Sequence, residues 1–310
     1  MARTPKPAPN PEAEPAPAAA TAVRIRALLP SLQPSMRQVA EQVLADTSAT
    51  ASLTVTELAV ASGVSEATVI RFCKAIGFAG YPQLRLALAA ETGRAQGADR
   101  GDRDLASDIG PGDNLAKVVE KIAFADARAV EETGAQLDIV MLERVVEALV
   151  RAQRVDLYGV GASAFVALDF QHKLHRIGRV AFAWSDTHVA LTSAALLRPG
   201  DVAIGISHTG TTVDTMEAFA EAGRRGATTV ALTNFPKSPI TRVADLVLTT
   251  AARETTFRSG AMASRLAQLT VVDCVFVGVA QRTYDRTRSA LEATRDAVRS
   301  RRTKADRGRW

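Results

Sequence analysis

Val155-Asp156-Leu157-Tyr158-Gly159-Val160-Gly161-Ala162-Ser163 and Val202-Ala203-Ile204-Gly205-Ile206-Ser207-His208-Thr209-Gly210-Thr211-Thr212 carry the same order of events twice. A short apolar run of β type ends in glycine and hydroxyl residues, and a segment with helical character follows. Glycine at a strand end lets the backbone turn tightly and approach a ligand closely. The helix start behind it offers free N–H groups and the positive end of a dipole. The hydroxyls of Ser163, Ser207, Thr209, Thr211 and Thr212 add donors without adding charge. That chemistry suits a phosphate monoester on a small polar molecule.

Outward from these two blocks, the pattern predicts strands at 155–158, 179–184, 201–206, 228–233 and 246–250. Helices are predicted between them at 162–177, 187–196, 212–224 and 239–243. Such alternation gives an α/β domain with a doubly wound, mostly parallel sheet. Ligands of these sheets sit beyond the carboxyl ends of the strands. Gly159, Gly161, Ser163, the run Ser207 to Thr212, and Thr233-Asn234 all fall there. A dinucleotide-binding turn would need a third glycine and an acid about twenty residues on. Phe165 and its neighbours occupy the glycine position, and no acid ends the next strand before Asp186. His208 inside the second loop and Glu254 after the last strand are the acid–base groups an isomerisation would need. His172 and His175, beside Lys173 and Arg176, read as surface or dimer-face residues.

The stretch from about Leu115 to Tyr284 resembles a SIS (sugar isomerase) domain, and Ile206 to Thr212 is similar to that family's central phosphate loop. Thr209 stands where the family usually has serine, which keeps the hydroxyl and adds a methyl group. The resemblance implies that Gly159, Gly161, Ser163, Ser207, His208, Thr209, Gly210, Thr212, Thr233 and Glu254 contact a phosphorylated sugar.

Residues Val23 to Glu91 read as a compact set of helices. Leu28, Leu32, Met36, Val39, Ala40, Val43 and Leu44 recur at helical spacing around a break at Pro30 to Ser35. Thr54-Val55-Thr56-Glu57 is a capping box. Gly63 permits a tight turn, Ser65 stands where a helix cap is expected, and Gly77 ends the helix that follows. Helix, glycine turn and helix, with Ala59, Val64, Val69 and Phe72 inward, is a helix-turn-helix pattern. The second helix is expected to present Ser65, Glu66, Thr68, Arg71 and Lys74 to the major groove of double-stranded DNA. Gly63 to Lys74, then Gly77-Phe78 and Gly80-Tyr81-Pro82, closely resemble the N-terminal domain of RpiR/MurR-type bacterial transcriptional regulators. Those regulators join this domain to a SIS domain in the order found here.

The resulting organisation is a Pro/Ala-rich disordered tail at 1–20, an all-α helix-turn-helix domain at 21–91, a linker at 92–113, a SIS-like domain at 114–284 and a basic tail at 285–310. Within 114–153, Leu115 to Glu132 and Leu137 to Gln153 read as two helices joined around Gly134. The net charge is +5, and residues 282–310 hold ten Lys or Arg against four Asp or Glu. The basicity therefore belongs to the C-terminal tail and does not by itself indicate DNA binding. Cys73 and Cys274 lie far apart and outside any metal-type pair. No secretory signal or membrane-spanning run is evident, so the expected location is cytoplasmic. These features lead to a DNA-binding regulator of carbohydrate or amino-sugar metabolism that senses a phosphorylated sugar. It is expected to act as a dimer or tetramer on an inverted-repeat operator, with no catalytic residue, cofactor or metal. The rival expectation is a sugar-phosphate isomerase with an accessory helical domain.

Overall fold

The computed structural model describes residues 21–95, 105, 107–254 and 262–299. The expected N-terminal tail, the last residues of the expected basic tail and part of the expected linker lie outside these residues. Six helices form the N-terminal unit: α1 (Thr21–Leu28), α2 (Pro34–Ala45), α3 (Thr47–Ser52), α4 (Val55–Ala61), α5 (Glu66–Ala75) and α6 (Tyr81–Ala95). Local chemistry sets their ends. Pro34 sits in the first turn of α2, where its missing N–H costs nothing. Thr54 and Glu57 close the capping box at α4, with Thr54 N donating to Glu57 Oε2 at 2.7 Å and Glu57 N to Thr54 Oγ1 at 3.2 Å. The Thr54 N–H first, and then the Thr54 hydroxyl donating to the same oxygen at 2.8 Å, hold the Glu57 carboxyl below its ordinary range. Gly63 and Gly77 adopt φ of 65° and 88°, conformations that other residues rarely accept.

This unit has its own core. Ile25, Leu28, Val39, Val43, Leu58, Val69, Phe72, Ile76, Leu84 and Leu88 are buried together. Tyr81 spans the unit, its hydroxyl donating to Leu53 O at 2.8 Å. Cys73 is buried in the same cluster, and desolvation pushes its thiol up to about 11.

Two helices lead into the second unit, α7 (Leu115–Gln136) and α8 (Ile139–Arg151). Gly134 is not their joint: α7 runs through it and ends at Gln136. The break comes at Leu137 and Asp138, where the Asp138 carboxylate accepts from Met141 N at 3.0 Å and caps α8. Glycine inside a helix costs about 1 kcal/mol. Its neighbour Thr133 is fully buried and accepts from Ala251 N at 3.0 Å, a tertiary contact that offsets such a cost.

The sheet is wholly parallel, in the order β2-β1-β3-β4-β5, built from β1 (Val155–Tyr158), β2 (Ala181–Trp184), β3 (Val202–Ile206), β4 (Thr228–Thr233) and β5 (Leu246–Thr249). The intervening helices are α9 (Ala162–Arg176), α10 (Thr187–Ala194), α11 (Val213–Arg224) and α12 (Pro239–Val243), followed by α13 (Ala263–Arg282) and α14 (Tyr284–Arg299). One face packs Leu157, Ile204, Ile206 and Leu232 against Phe170 of α9, Val145 and Leu149 of α8, and Val271 and Val275 of α13. The other face is lined by small residues, Ala203, Gly205 and Ala231, and these admit Phe219 of α11. A Cβ on Gly205 would lie 2.9 Å from both Phe219 and Ile240.

By length and composition α13 could cross a membrane. Its Val271, Val272, Val275 and Val279 are instead buried in the core of this domain. The first residues of the expected basic tail continue as α14, which lays Leu291 against that core.

Asp156 is fully buried at the centre of β1 and fully partnered. Its carboxylate accepts from Arg154 at 2.7 and 3.0 Å, Ser193 Oγ at 2.6 Å and Trp184 Nε1 at 2.8 Å. This network ties β1 to β2 and α10.

Candidate functional site

Two surfaces carry the chemistry. On α5 the buried residues are Thr68, Val69, Phe72 and Cys73, and the exposed ones are Glu66, Ala67, Ile70, Arg71 and Lys74. Ser65, Glu66, Arg71 and Lys74 thus stand outward as expected from the sequence. Thr68 does not. It is one turn before Phe72 and lies on the same inner arc. Its Oγ1 accepts from Arg71 Nη2 at 3.1 Å and shares a hydrogen bond with Ser65 Oγ at 3.0 Å. Thr68 positions Arg71 instead of reaching out itself. Ser65 occupies the cap position of α5, but its side chain makes no cap hydrogen bond and turns to Thr68. Glu66 is held by the Thr56 hydroxyl at 2.5 Å, which ties α5 to α4.

The second surface lies where the strand order reverses, between the carboxyl ends of β1 and β3. Crevices at such switch points are where open α/β sheets bind ligands. Gly161, at φ 58°, opens α9, and a Cβ there would meet nothing within 4 Å. Gly159 is different: a Cβ there would lie 2.9 Å from Ser163 O, so the backbone itself fills that space. Ser163 is buried in the first turn of α9.

In the loop after β3, Gly210 N donates to Ser207 Oγ at 3.0 Å, and Ser207 Oγ and Thr212 Oγ1 are 3.0 Å apart. Thr209 and Thr211 pair their hydroxyls at 2.8 Å. Gly210 has φ 65°, and a Cβ would fall 2.1 Å from Ser238 Oγ. Thr212 is the cap residue of α11 but makes no side-chain cap bond. Neither α9 nor α11 has a side chain capping its N–H groups. Helix starts of this kind suit an anion.

His208 is anchored through its backbone, its carbonyl accepting from Thr233 Oγ1 at 3.1 Å and Asn234 N at 3.0 Å. Its ring meets Phe235 edge-on with centroids 5.5 Å apart, and Nδ1 is buried without a partner. Burial lowers its pKa, while the charge of Glu254 acts in the opposite sense. The imidazole is therefore neutral near pH 7. Ser238 Oγ, next to Gly210, is a second buried group without a partner. Asn234 Oδ1 accepts from Ala252 N at 2.8 Å and Thr250 Oγ1 at 3.1 Å, clasping the chain that leaves β5.

Glu254 has a structural task. Its Oε1 accepts from Ser264 N at 2.8 Å and its Oε2 from Met262 N at 3.4 Å, so it caps the start of α13. The neighbouring Arg253 turns away, to Asp108 at 3.6 Å. It also lines a cavity of about 160 Å³ with Arg26 of α1, Phe124, Arg128 and Glu132. Desolvation lowers the pKa of Arg26, and Glu132 counters it. The first helix of the N-terminal unit thus abuts the chain segment that holds Glu254.

The comparisons match the two domains in the order found here. Residues 20–94 match the model of the helix-turn-helix domain of the rpiR family, and residues 148–278 match the SIS domain. A helix-turn-helix-type transcriptional regulator of Caldanaerobacter subterraneus is 40% identical over 88% of this chain and 95% of its own length. The chain belongs to the rpiR family of transcriptional regulators. A second regulator of this kind, YbbH of Bacillus subtilis, is 36% identical over 90% of this chain and 97% of its own. Among solved structures, Vibrio vulnificus NanR complexed with ManNAc-6P aligns with a TM-score of 0.58 and 28% identity, covering 92% of this chain and all of NanR. The sugar isomerase domain of an RpiR transcription factor from Sphaerobacter thermophilus gives 0.54 at 31% identity, covering 57% of this chain and 98% of its own.

Measured against the rpiR architecture, two residues escape the sequence pattern. Ser238 sits beside the loop because the turn after β4, the neighbour of β3 in the sheet, brings it against Gly210. Ile70, between buried Val69 and exposed Arg71, is a large apolar side chain left open to water on α5.

Proposed function

We propose that this rpiR-family regulator binds operator DNA through α5 and senses a phosphorylated sugar at the Ser207–Thr212 loop. The observation that carries the reading is the pairing of the two surfaces on one chain. A helix face bearing Arg71 and Lys74 lies in one domain. In the other, a hydroxyl-lined loop lies between two helix starts that have no side-chain cap. Ser163, Ser207, Thr209 and Thr212 supply hydroxyls for the phosphate; Gly161 leaves open space for its close approach, while Gly159 and Gly210 let the loop fold tightly onto Ser163 and Ser238. His208, Thr233 and Glu254 border the sugar end. NanR, which aligns over nearly the whole chain, holds ManNAc-6P, so amino-sugar phosphates come first in any ligand panel.

Ligand binding alters operator affinity only through a difference in its binding to two arrangements of the protein. The segment from Arg253 to Glu254 joins the ligand loop's surroundings to Arg26 of the N-terminal unit and is a natural route for that difference. We assign no catalytic role, since the Glu254 carboxylate is engaged by the N–H groups of α13. The protein acts in the cytoplasm as an even-numbered oligomer on an inverted repeat, because one short recognition helix reads few bases. Phe165 and Leu168 on α9, with Val277 and Tyr284 nearby in sequence on α13 and α14, are exposed apolar side chains suited to self-association.

The test combines a thermal-shift screen over sugar phosphates with gel shifts on upstream DNA and an isomerisation assay. A sugar phosphate that stabilises the protein and changes its DNA affinity without turnover is the expected result. Robust turnover, or ligand binding with no effect on DNA affinity, overturns the reading.

A further inference from the structure

We infer that Ala67 and Ile70 form an apolar strip that reads thymine methyl groups in the major groove; the inference rests on the DNA-binding reading of α5. Both residues are exposed, Ile70 at 41%, and neither belongs to the core cluster that takes Val69, Phe72 and Cys73. They lie one helical turn apart in the N-terminal half of α5, the part of a recognition helix that meets base edges. A single exposed isoleucine is ordinary. This one is informative because of what its polar neighbours do.

Glu66 is drawn toward α4 by the Thr56 hydroxyl. Arg71 is laid back along the helix by Thr68 Oγ1, itself bonded to Ser65. The polar groups are thus tied to the flanks, and the middle of the face offers no donor or acceptor from Ala67 or Ile70. Lys74 and Arg71 supply positive charge at its edge, where the phosphates of a groove-docked helix run. Of the groups that base pairs present in the major groove, the thymine C5-methyl is the apolar one. A strip that cannot hydrogen-bond satisfies it and leaves the polar edge of any other base unpaired.

The experiment uses the full chain and a random duplex pool, from which the preferred sequence is selected at fixed salt. Each thymine is then replaced singly by uracil, which removes only the methyl. Burial of one such carbon corresponds to a change of about three- to five-fold in affinity. Wild type is expected to lose that factor at one or more thymines. Ile70→Ala is expected to lose it on the original duplex and to stop distinguishing thymine from uracil at that position. Uracil that is silent everywhere overturns the inference, as does Ile70→Ala that weakens both duplexes while keeping the wild-type discrimination. Dissociation of the oligomer by Ile70→Ala, seen by light scattering, would place Ile70 in a protein contact and overturn it too. A pool that yields no enriched duplex defeats the DNA-binding reading itself. The uracil arm leaves the protein untouched, so it holds even if the variant folds poorly.

Discussion

The N-terminal helices and the C-terminal sheet place their functional groups in opposite ways. On α5 they stand out from a finished core: Arg71 and Lys74 are exposed, and removing either leaves Val69, Phe72 and Ile76 packed as before. In the sheet domain the binding groups are part of the framework. Ser207 is buried and holds Gly210 N, while Gly210 exists to let Ser238 approach. Recognition and stability are separable in the first domain and entangled in the second. A long duplex has to be met by a convex surface, whereas a small phosphorylated molecule has to be surrounded.

The largest effect expected from this contrast is in the sheet domain. Asp156→Ala removes the acceptor shared by Arg154, Ser193 and Trp184 and leaves a partly buried guanidinium without its partner. Breaking a buried ion pair in this way costs about 3–5 kcal/mol. Urea unfolding followed by intrinsic fluorescence should show the loss. If the two cores are independent, helical signal from residues 21–95 should melt at the wild-type midpoint. A common shift of both transitions would show that the domains unfold as one.

Next is the ligand loop. Ser207→Ala loses a hydroxyl expected to donate to a phosphate oxygen, and hydrogen bonds to charged groups contribute about 1.5–3 kcal/mol. Calorimetry with the sugar phosphate found by screening should therefore show affinity weakened by roughly ten- to a hundred-fold. Gly210 N loses one of its two acceptors and keeps Ser207 O at 3.2 Å, so only a small drop in thermal stability should accompany it. Unchanged ligand affinity would remove the phosphate from this loop. Operator binding without ligand is expected to survive.

On α5 the expected effects are smaller and leave stability alone. Arg71→Ala should weaken specific DNA binding by about 1–3 kcal/mol if its guanidinium meets a base edge. Thr68→Val keeps the buried shape and loses the hydroxyl that orients Arg71, so its cost should be about 1 kcal/mol. The pair combined should cost little more than Arg71→Ala alone, since the two act on one contact. Strictly additive losses in a gel-shift cycle at fixed salt would separate Thr68 from Arg71.

Much of this was legible in the sequence because it is local. The capping box at Thr54, the turns at Gly63 and Gly77, and the alternation of strands with helices from Val155 onward each depend on near neighbours. What escaped depends on distant ones. Gly134 reads as a break until Thr133 finds Ala251, 118 residues away. That Glu254 also accepts from the N–H groups of Met262 and Ser264 is not legible in the sequence, because the contact joins residues eight and ten positions apart. Thr68 is the exception. Its spacing from Phe72 already places it on the inner arc, although a threonine is polar enough to suit the outer face as well.

The smallest expected effect is a slope rather than a step, and it probes how closed the ligand site is. Burial holds His208 below the ordinary histidine value near 6.5, with Glu254 pulling the other way. The unfolded chain therefore takes up the proton first as pH falls. The contribution of His208 to stability is complete above about pH 6.5 and is lost as pH drops toward its lower folded value. His208→Asn should flatten that part of the pH–stability curve. A phosphate dianion bound beside the ring would favour the imidazolium, so ligand should raise the midpoint seen in NMR titration of the ring protons. With Nδ1 buried and unpartnered, the added proton would have an acceptor only when ligand is present. A midpoint at or above 6.5 without ligand would mean that water reaches the ring, and that the loop is as open as the face of α5. A midpoint that ligand leaves unmoved would place the phosphate beyond the reach of His208.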